Sequence, residues 1–342
     1  MQIRKIALPI ISLGLIALAI LAGAGYLVAT FILKSQPTGN FASASLAIAC
    51  LAGYLGATLA QEFIRDRRGQ PFRLLHLRRV WLWLILAGIG LSVGVLVQQS
   101  PWAKYPLPPF HVLTLAAWAC FLFSMVYSWL PRLTIRETAL QVTYGAFVAT
   151  SVGGLLELIL LLLLGVAAVV AAALLPGGQT WLETIRNALR APTLLRDPKH
   201  LAELLLVPPI TVTLAGGLTM MVPLVEESVK SLGVLALIHH LPERNRCLAW
   251  GLLCGLGFGL GESMLSVASL GASWGVTIVA RMLTMILHTL TGGLMGVGWY
   301  YAVRERRLWN LVGLYALSLA LHALWNGVAV LGSLQALLLM AR

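Results

Sequence analysis

Charged residues are scarce in this sequence. Asp, Glu, Lys and Arg make up 11% of the 342 residues, hydrophobic residues make up 59%, and the mean hydropathy is +0.88. Soluble domains carry about 25% charged residues, so this composition excludes a water-soluble globule with one core. Several apolar runs are long enough to cross a bilayer as helices. The sequence therefore predicts an all-α protein, a polytopic transmembrane helical bundle of about 9–11 membrane helices.

Acidic residues are even fewer than basic ones, 12 against 24, which gives a formal charge of +12. The first basic clusters fall on alternate loops between apolar runs: Arg4 with Lys5, residues 65–79, and Arg132 with Arg136. This alternation indicates cytoplasmic loops of a membrane protein. Because the sequence has no soluble basic domain, no nucleic-acid partner is expected. The lipid bilayer is the expected partner.

Cysteine is also rare, and the motifs of common hydrolases are missing. The four cysteines lie in or beside apolar segments without Cys-x-x-Cys spacing: Cys50, Cys120, Cys247 and Cys254. This placement favours buried thiols over disulfides or a zinc finger. The sequence contains no His-Glu-x-x-His run and no Cys/His pair of a cysteine protease, and its two Gly-x-Ser-x-Gly patterns, at 90–94 and 271–275, lack the preceding strand of a nucleophile elbow. These absences argue against serine, cysteine and ordinary zinc mechanisms.

Apolar runs of about 20 residues predict the individual membrane helices. They lie at 6–33, 41–60, 80–98, 109–130, 139–175, 203–222, 223–241, 247–269, 276–302 and 309–334. The run at 6–33 is longer than the apolar region of a cleaved signal peptide, so we interpret it as a first membrane helix. Two alternatives remain for the middle of the chain. Either 139–175 crosses twice, or it crosses once and 203–222, broken by Pro208 and Pro209, does not cross.

Three ionisable residues stand where a lipid-facing helix would carry leucine. Glu226, Glu227 and Lys230 lie in about forty residues that are otherwise almost entirely apolar. One charged residue at the centre of a membrane helix costs about 2.5–3.5 kcal/mol, so three within five positions indicate a functional site. Helical spacing brings the ammonium of Lys230 within reach of both carboxylates. A structural ion-pair network between helices is the alternative.

Polar residues recur in the helices that follow. They are Phe258-x-x-x-Glu262, Arg281, His288 and His322-x-x-Trp325-Asn326. In either topology the helix of Glu226 runs from outside to inside. Counting ~1.5 Å per residue from the predicted helix ends places the polar residues of four helices in the outer half of the bilayer. Glycines at 251–261 and 292–296 allow close helix packing, so the sequence predicts one compact site there.

This set of side chains suits the hydrolysis of a peptide bond. A glutamate held ionised by a cation can act as general base on a water molecule, and imidazole or amide donors can stabilise the oxyanion that forms. Such a mechanism needs no cofactor and no metal. A metal is nevertheless an alternative, with oxygen and nitrogen ligands from Glu226, Glu262, His288 and His322. Lys230 beside the carboxylates weighs against the metal.

The ordered motifs resemble those of the PrsW family of intramembrane proteases, relatives of the CAAX prenyl proteases and of bacteriocin-processing enzymes. The similarity covers roughly residues 200–335 and consists of Glu226-Glu227-x-x-Lys230, Gly257-Phe258-x-x-x-Glu262, Arg281 with His288, and His322-x-x-Trp325-Asn326. The CAAX branch has an arginine and a histidine at the positions of Ser231 and Glu262, so the match is to PrsW.

The resemblance implies a glutamate-dependent endopeptidase in a bacterial-type plasma membrane. Its substrate would be a membrane-anchored protein, typically an anti-sigma factor, cleaved near the extracytoplasmic membrane boundary. The implied catalytic residues are Glu226, which activates water, Glu227 and Lys230, which orient it, Glu262, and His288, His322 and Asn326, which bind substrate or oxyanion. Phe258 and Arg281 are the implied substrate contacts. On this interpretation residues 1–200 are a membrane-helix region of unknown role and 201–342 are the catalytic core.

Two other classes of function remain open. A transporter or channel also carries ionisable residues at mid-depth, but it would show repeated halves or paired broken helices. Here the polar residues are concentrated in one half of the chain. The third class is a scaffold that binds a membrane partner without catalysis.

Overall fold

The computed structural model describes residues 2–32, 38–71, 73, 80–100, 102–103, 105–129, 133–190, 197–238, 243–265 and 273–340. Within these ranges there are fourteen α-helices: α1 Gln2–Leu27, α2 Thr38–Arg67, α3 Val80–Val97, α4 Leu107–Trp129, α5 Ile135–Thr143, α6 Thr150–Leu174, α7 Gly178–Arg190, α8 Pro198–Leu205, α9 Pro208–Gly216, α10 Val222–Lys230, α11 Leu232–Ile238, α12 Arg244–Leu265, α13 Trp274–Arg304 and α14 Leu308–Met340. Three π-helical segments extend or join them: Val28–Ile32, Tyr144–Ala149 and Gly217–Met221.

Nine helical segments of the described ranges are long and apolar enough to cross a membrane. They are Ala7–Phe31, Phe41–Arg67, Val80–Val97, Leu107–Ser128, Ile135–Leu174, Pro208–Leu237, Arg244–Leu265, Trp274–Arg304 and Leu308–Leu339. The prediction of an all-α, polytopic membrane bundle is therefore confirmed, and the number lies within the predicted range.

The prediction of separate helices at 203–222 and 223–241 is wrong. Helix α9 begins at Pro208, in the first turn, where a proline costs no hydrogen bond. It continues through the π-helical segment Gly217–Met221 into α10, and Pro208–Leu237 forms one candidate span. Glu226 thus lies eighteen residues beyond the start of its span, about 27 Å along a helix. The depth predicted for Glu226 was counted from a helix start at residue 223 and is therefore wrong.

The segment predicted at 139–175 is also continuous. Helix α5, the π-helical segment Tyr144–Ala149 and α6 together form one candidate span, Ile135–Leu174. These bounds favour the alternative in which 139–175 crosses once. With single crossings here and at Pro208–Leu237, the charge pattern puts the loop between them outside and keeps the predicted direction of the Glu226 helix.

The chain divides into two compact units. One consists of Met1–Thr150 and Lys230–Leu314, and the other of Ser151–Val229 and Tyr315–Arg342. Both divisions before residue 315 fall inside continuous helical segments, one at the start of α6 and one in the last turn of α10. The functional boundary placed near residue 200 stays a prediction.

The first unit is organised around the crossing of α12 and α13, where two backbones touch. A Cβ atom added to Gly255 would lie 1.9 Å from the carbonyl oxygen of His288. At Gly251 and Gly292 an added Cβ would lie 2.3 and 2.5 Å from the carbonyl oxygen of the other glycine. Only glycine permits this approach, as at small-residue interfaces of membrane helices. The crossing fixes His288 against α12.

The opposite side of α12 packs against the α5 region. A Cβ added to Gly257 or Gly261 would lie 2.5 Å from a carbonyl oxygen of Val142 or Ala146, respectively. At the end of this packing, Arg246 binds the carboxylate of Glu137 through two nitrogens, at 2.9–3.1 Å. Bidentate arginine pairs have a defined geometry, so this pair sets the register of α12 against α5.

The second unit contains α6 and the helical segment from α9 to α10, with α14. Many apolar side chains of α6 point outwards, and Leu162 and Val166 are 62% and 63% exposed. A lipid-facing helix has this character, because lipid tails do not drive apolar side chains inwards. Tyr315 and Asn326 of α14 contact Ser228 and the carbonyl of Leu218, respectively. Since the later residue of α14 meets the earlier partner, the two segments run antiparallel.

Candidate active site

In the second unit, His322 lies between the two glutamates of α10. Its Nδ1 atom is 2.8 Å from Oε1 of Glu227, and its Nε2 atom is 3.7 Å from Oε2 of Glu226. All three side chains are buried. When Glu227 is ionised, its carboxylate can only accept a hydrogen bond, and the contact then assigns a proton to Nδ1 of His322, which donates the hydrogen bond to Glu227. This bond fixes the ring and directs Nε2 towards Glu226.

Two further contacts hold α14 in place around His322. The hydroxyl of Tyr315 lies 2.9 Å from that of Ser228 and donates to the carbonyl of Leu224 at 3.1 Å. The amide of Asn326 donates to the carbonyl of Leu218 at 3.0 Å, within the π-helical segment. Such segments leave carbonyl groups available and occur frequently at functional sites. Asn326 therefore stabilises the turn that precedes the two glutamates.

In the first unit, the ammonium of Lys230 is fully buried among side chains of α12 and α13. It donates to the hydroxyl of Thr291 at 2.6 Å and lies 3.3 Å from Nδ1 of His288. It also lies 5.9 Å from the centre of the Phe258 ring, where a cation is attracted to the aromatic face. Phe258 in turn meets the imidazole of His288 edge-on, with ring centres 5.0 Å apart.

The other side of His288 faces a carboxylate. Its Nε2 atom lies 3.0 Å from Oε2 of Glu262, and Arg281 donates to the other oxygen of that carboxylate. Because Lys230 has no acceptor and Glu262, when ionised, has no donor, Nδ1 of His288 accepts and Nε2 donates. The contacts thus form a chain from Lys230 through His288 and Glu262 to Arg281. This chain assigns a neutral imidazole to His288.

The family model named PrsW family intramembrane metalloprotease matches residues 135–341, which is more than half of the chain. This chain belongs to the PrsW family. It is accordingly an intramembrane protease, and its substrate is a protein in a membrane. The resemblance drawn from the motifs is confirmed, and the PrsW match begins at α5, well before the first motif. The searches of curated proteins and of solved structures found no match.

The PrsW family description names a metalloprotease, and part of the second unit fits the geometry of a metal ion. Two ligands of a tetrahedral zinc, each at about 2.0–2.1 Å, lie roughly 3.4 Å apart. The 3.7 Å between Glu226 and His322 is close to this value. Glu227 binds the other nitrogen of His322, as outer carboxylates do for metal-binding histidines. The second unit thus supplies two of the three protein ligands that a catalytic zinc usually has.

In the first unit, existing contacts compete with metal binding. Glu262 and His288, the other two ligands suggested by the sequence, bind each other, and Arg281 binds Glu262. A metal on Nδ1 of His288 would displace the ammonium of Lys230. Because of these contacts, Glu262 is a poor candidate for a metal ligand in this PrsW protein.

Every site residue predicted from the sequence lies in one of the two groups. Glu226, Glu227, His322 and Asn326 contact one another or the adjoining backbone in the second unit, and Lys230, Phe258, Glu262, Arg281 and His288 form the chain of contacts in the first. Phe258 is only 2% exposed, so its contacts are those of a packing residue. Its predicted contact with substrate, and the catalytic roles, stay predictions.

Three residues with hydrogen bonds at these clusters were not predicted from the sequence: Thr291, Ser228 and Tyr315. Thr291 follows His288 by three positions, so helical spacing could have placed its hydroxyl beside the same partners. Ser228 lies between Glu227 and Lys230, and Tyr315 precedes His322 by seven positions, on one helix face. Their small or aromatic side chains gave no sign of a polar role, because such residues are ordinary in membrane helices.

Proposed function

We propose that this protein hydrolyses a peptide bond of a membrane-anchored protein with a water molecule activated by Glu226. The observation that carries the proposal is the position of His322, buried between two glutamates and held by a hydrogen bond to Glu227. A buried carboxylate beside an oriented imidazole can take up and return a proton. That exchange is what a hydrolysis without a covalent intermediate requires.

In the proposed reaction, Glu226 removes a proton from water while the water oxygen attacks the carbonyl carbon. The resulting tetrahedral intermediate carries a negative charge on the former carbonyl oxygen, which hydrogen-bond donors stabilise. The protonated Glu226 then gives its proton to the amide nitrogen as the carbon–nitrogen bond breaks. The products are a new carboxylic acid, which passes its proton to the new amine or to solvent, and Glu226 is again ionised. Glu227 keeps the imidazole of His322 oriented throughout.

The residues of the first unit are proposed to support this chemistry. Lys230 lies one helical turn after Glu226 on α10, and its ammonium is fixed by Thr291 and His288. Thr291 thereby acts as a positioning residue for Lys230. Glu262 and Arg281 hold His288 in the tautomer that accepts from Lys230. The family resemblance further implies that His288, His322 and Asn326 bind the substrate or the oxyanion.

The finer details are proposals that rest on the family resemblance. The substrate is of the anti-sigma-factor kind, and the enzyme lies in a bacterial-type plasma membrane. The resemblance implies cleavage near the extracytoplasmic boundary, whereas the position of Glu226, about 27 Å along its span, favours cleavage deeper in the membrane. Mapping of the product termini decides between cleavage at the boundary and cleavage deeper in the membrane.

A metal-dependent form of the same hydrolysis is the second candidate, and the separation of Glu226 and His322 favours it. These two residues would hold the ion, and Glu227 would keep the proton on Nδ1 of His322. A bound divalent ion supplies Lewis acidity and makes a coordinated water more acidic. The substrate and the bond cleaved are the same in both candidates.

The test is proteolysis of single-span membrane proteins in liposomes, with product termini mapped by mass spectrometry. We expect cleavage by the wild type and none by Glu226→Gln. The matched control is Glu183→Gln, on an exposed surface of α7, which should cleave normally. Wild-type turnover by Glu226→Gln would remove the proposed base. Ion-coupled flux without cleavage would favour a transporter, and binding of a substrate without cleavage would favour a scaffold.

A second measurement separates the two mechanisms. The metal content of purified wild type and of His322→Gln is determined by mass spectrometry, and cleavage is followed after treatment with a chelator. The glutamate mechanism predicts chelator-resistant cleavage and no stoichiometric metal in either protein. One bound metal per wild-type chain, lost in His322→Gln together with chelator-sensitive activity, would establish the metal mechanism.

A further inference from the structure

Helix α7 separates its apolar and polar residues more sharply than its neighbours in the chain. On a helix with 100° per residue, the apolar side chains that the structure describes occupy one arc of about 100°. This apolar face carries Trp181, Leu182 and Ile185. The opposite arc carries Gln179, Glu183, Arg186, Asn187 and Arg190. Trp181, Leu182 and Ile185 are half-buried, whereas Glu183 and Arg186 are exposed.

The chain leaves α7 no room to move away from the end of α6. Only Leu175, Pro176 and Gly177 separate the last residue of the apolar span from Gly178. Gly177 turns the backbone with a positive φ of 80°, a conformation that suits glycine. A Cβ atom on Gly178 would lie 1.5 Å from the carbonyl oxygen of Ala172. The first turn of α7 therefore touches the last turn of a membrane-spanning helix.

We propose that α7 lies in the plane of the membrane interface, with its apolar face in the outer acyl region and its arginines among anionic lipid headgroups. An amphipathic helix with tryptophan and leucine on one face and arginine on the other has the composition of such interfacial helices. The contact with the end of α6 holds it at the depth where this composition is favourable. This inference concerns membrane binding and does not rest on the proposed catalytic function.

The charges of α7 and α8 point to lipid as the partner of the polar face. Arg186 and Arg190 are exposed, and they lie four positions apart on one side of the helix. Helix α8 adds the exposed Lys199 and carries a partly exposed Leu201 on its apolar side. Basic residues beside an apolar face are attracted to anionic headgroups, at roughly 1 kcal/mol each near the surface. An acidic protein segment would not explain the apolar face at the membrane boundary.

Spin labelling can distinguish lipid, water and protein surroundings of α7. Single cysteines are introduced by Leu182→Cys, Ile185→Cys, Glu183→Cys and Asn187→Cys in a chain that also carries Cys50→Ala and Cys120→Ala. Each is spin-labelled in liposomes of phosphatidylcholine with phosphatidylglycerol. The accessibility of the label to molecular oxygen, which enters lipid, is compared with its accessibility to a water-soluble nickel complex. The labels at 183 and 187 serve as matched controls on the same helix.

We expect high oxygen and low nickel accessibility at 182 and 185, and the reverse at 183 and 187. High nickel accessibility at all four positions would show that α7 stands in water and would overturn the proposal. Low accessibility to both reagents at 182 and 185 would show a face covered by protein, which also overturns it. Replacing Arg186 and Arg190 by Gln should raise nickel accessibility at 182 in these liposomes. No change there would refute the role given to the anionic lipid.

Discussion

The two units carry polar clusters of different charge and different construction. The first unit has two cations, Lys230 and Arg281, with one carboxylate and the imidazole of His288. The second unit has the two carboxylates of Glu226 and Glu227 around the imidazole of His322. In the first cluster, hydrogen-bond donors surround a single carboxylate and orient it, whereas in the second cluster two neighbouring carboxylates offer acceptor oxygens for a proton or a cation. This difference is the reason why we propose proton transfer for the second cluster and orientation for the first.

The clusters also differ in what holds them. In the first unit the backbones of α12 and α13 touch through glycines. Of the residues in the apolar stretch of α12, 83% are buried. The corresponding figure for α14, which carries His322, is 17%. In α14, side-chain hydrogen bonds from Tyr315, His322 and Asn326 provide the positioning. Backbone packing should make the first cluster sensitive to added volume, and the second sensitive to lost hydrogen bonds.

After the complete loss of cleavage expected for Glu226→Gln, the largest effect is expected for His322→Gln. Glutamine keeps a donor for Glu227 and loses the second ring nitrogen, so the fold should persist while proton transfer fails. We expect kcat to fall by about 10³-fold, within the range for lost acid–base groups. Cleavage assays and thermal unfolding are measured together. Tyr315→Phe, two turns earlier on the same helix, should lose no more than about tenfold. An equal loss in both variants would contradict the assignment of chemistry to His322.

Gly255→Ala tests the construction of the first cluster. The added methyl would lie 1.9 Å from the carbonyl oxygen of His288, and a backbone atom cannot rotate away. We expect a loss of about 3 kcal/mol in the free energy of unfolding, measured in detergent, together with reduced activity. Gly313→Ala on α14 is the matched control, because a Cβ atom added at Gly313 would have nothing within 4 Å. A stable, active Gly255→Ala variant would show that the helices can separate.

Thr291→Val tests the orientation of Lys230. Valine keeps the shape of the side chain and removes the hydroxyl that accepts from the ammonium at 2.6 Å. Hydrogen bonds to charged groups contribute about 1.5–3 kcal/mol, so we expect kcat to fall by about 10- to 100-fold with KM unchanged. Thr291→Ser should restore most of the rate.

Thr289→Val is the control for this experiment. The hydroxyl of Thr289 donates to the carbonyl of Met285 at 2.7 Å and belongs to neither cluster. The control should remain within about threefold of wild type. If Thr289→Val lost as much activity as Thr291→Val, the effect would be one of helix packing and not of Lys230.

The smallest effect is expected for Arg281→Gln. The side chains of Arg281 and Glu262 are 29% and 26% exposed, and partly exposed ion pairs contribute at most about 1 kcal/mol. We expect about a fivefold loss of kcat/KM that shrinks as salt is raised, since salt screens exposed pairs. A loss larger than that of Thr291→Val would give Arg281 a direct contact with substrate, as the sequence predicted.

Much of the site could be predicted from the spacing of polar residues in the sequence alone. Charged residues are rare in apolar membrane segments because they are costly there, which identified Glu226, Glu227 and Lys230. The glycines of α12 indicated its close crossing with α13. The register of helix ends was harder to predict. Pro208 was interpreted as a break, whereas it begins a helix that continues to Leu237, because proline in a first turn loses no hydrogen bond.

The sequence by itself determined the membrane class, the all-α fold and the identity of the polar residues, because hydropathy and helical period depend only on the order of residues. The tertiary structure alone decided which atoms meet. It pairs His322 with Glu227, Lys230 with Thr291, and Asn326 with the carbonyl of Leu218 through hydrogen bonds. These pairings join residues between 61 and 108 positions apart. They follow from how the helices pack, which no local pattern of residues records.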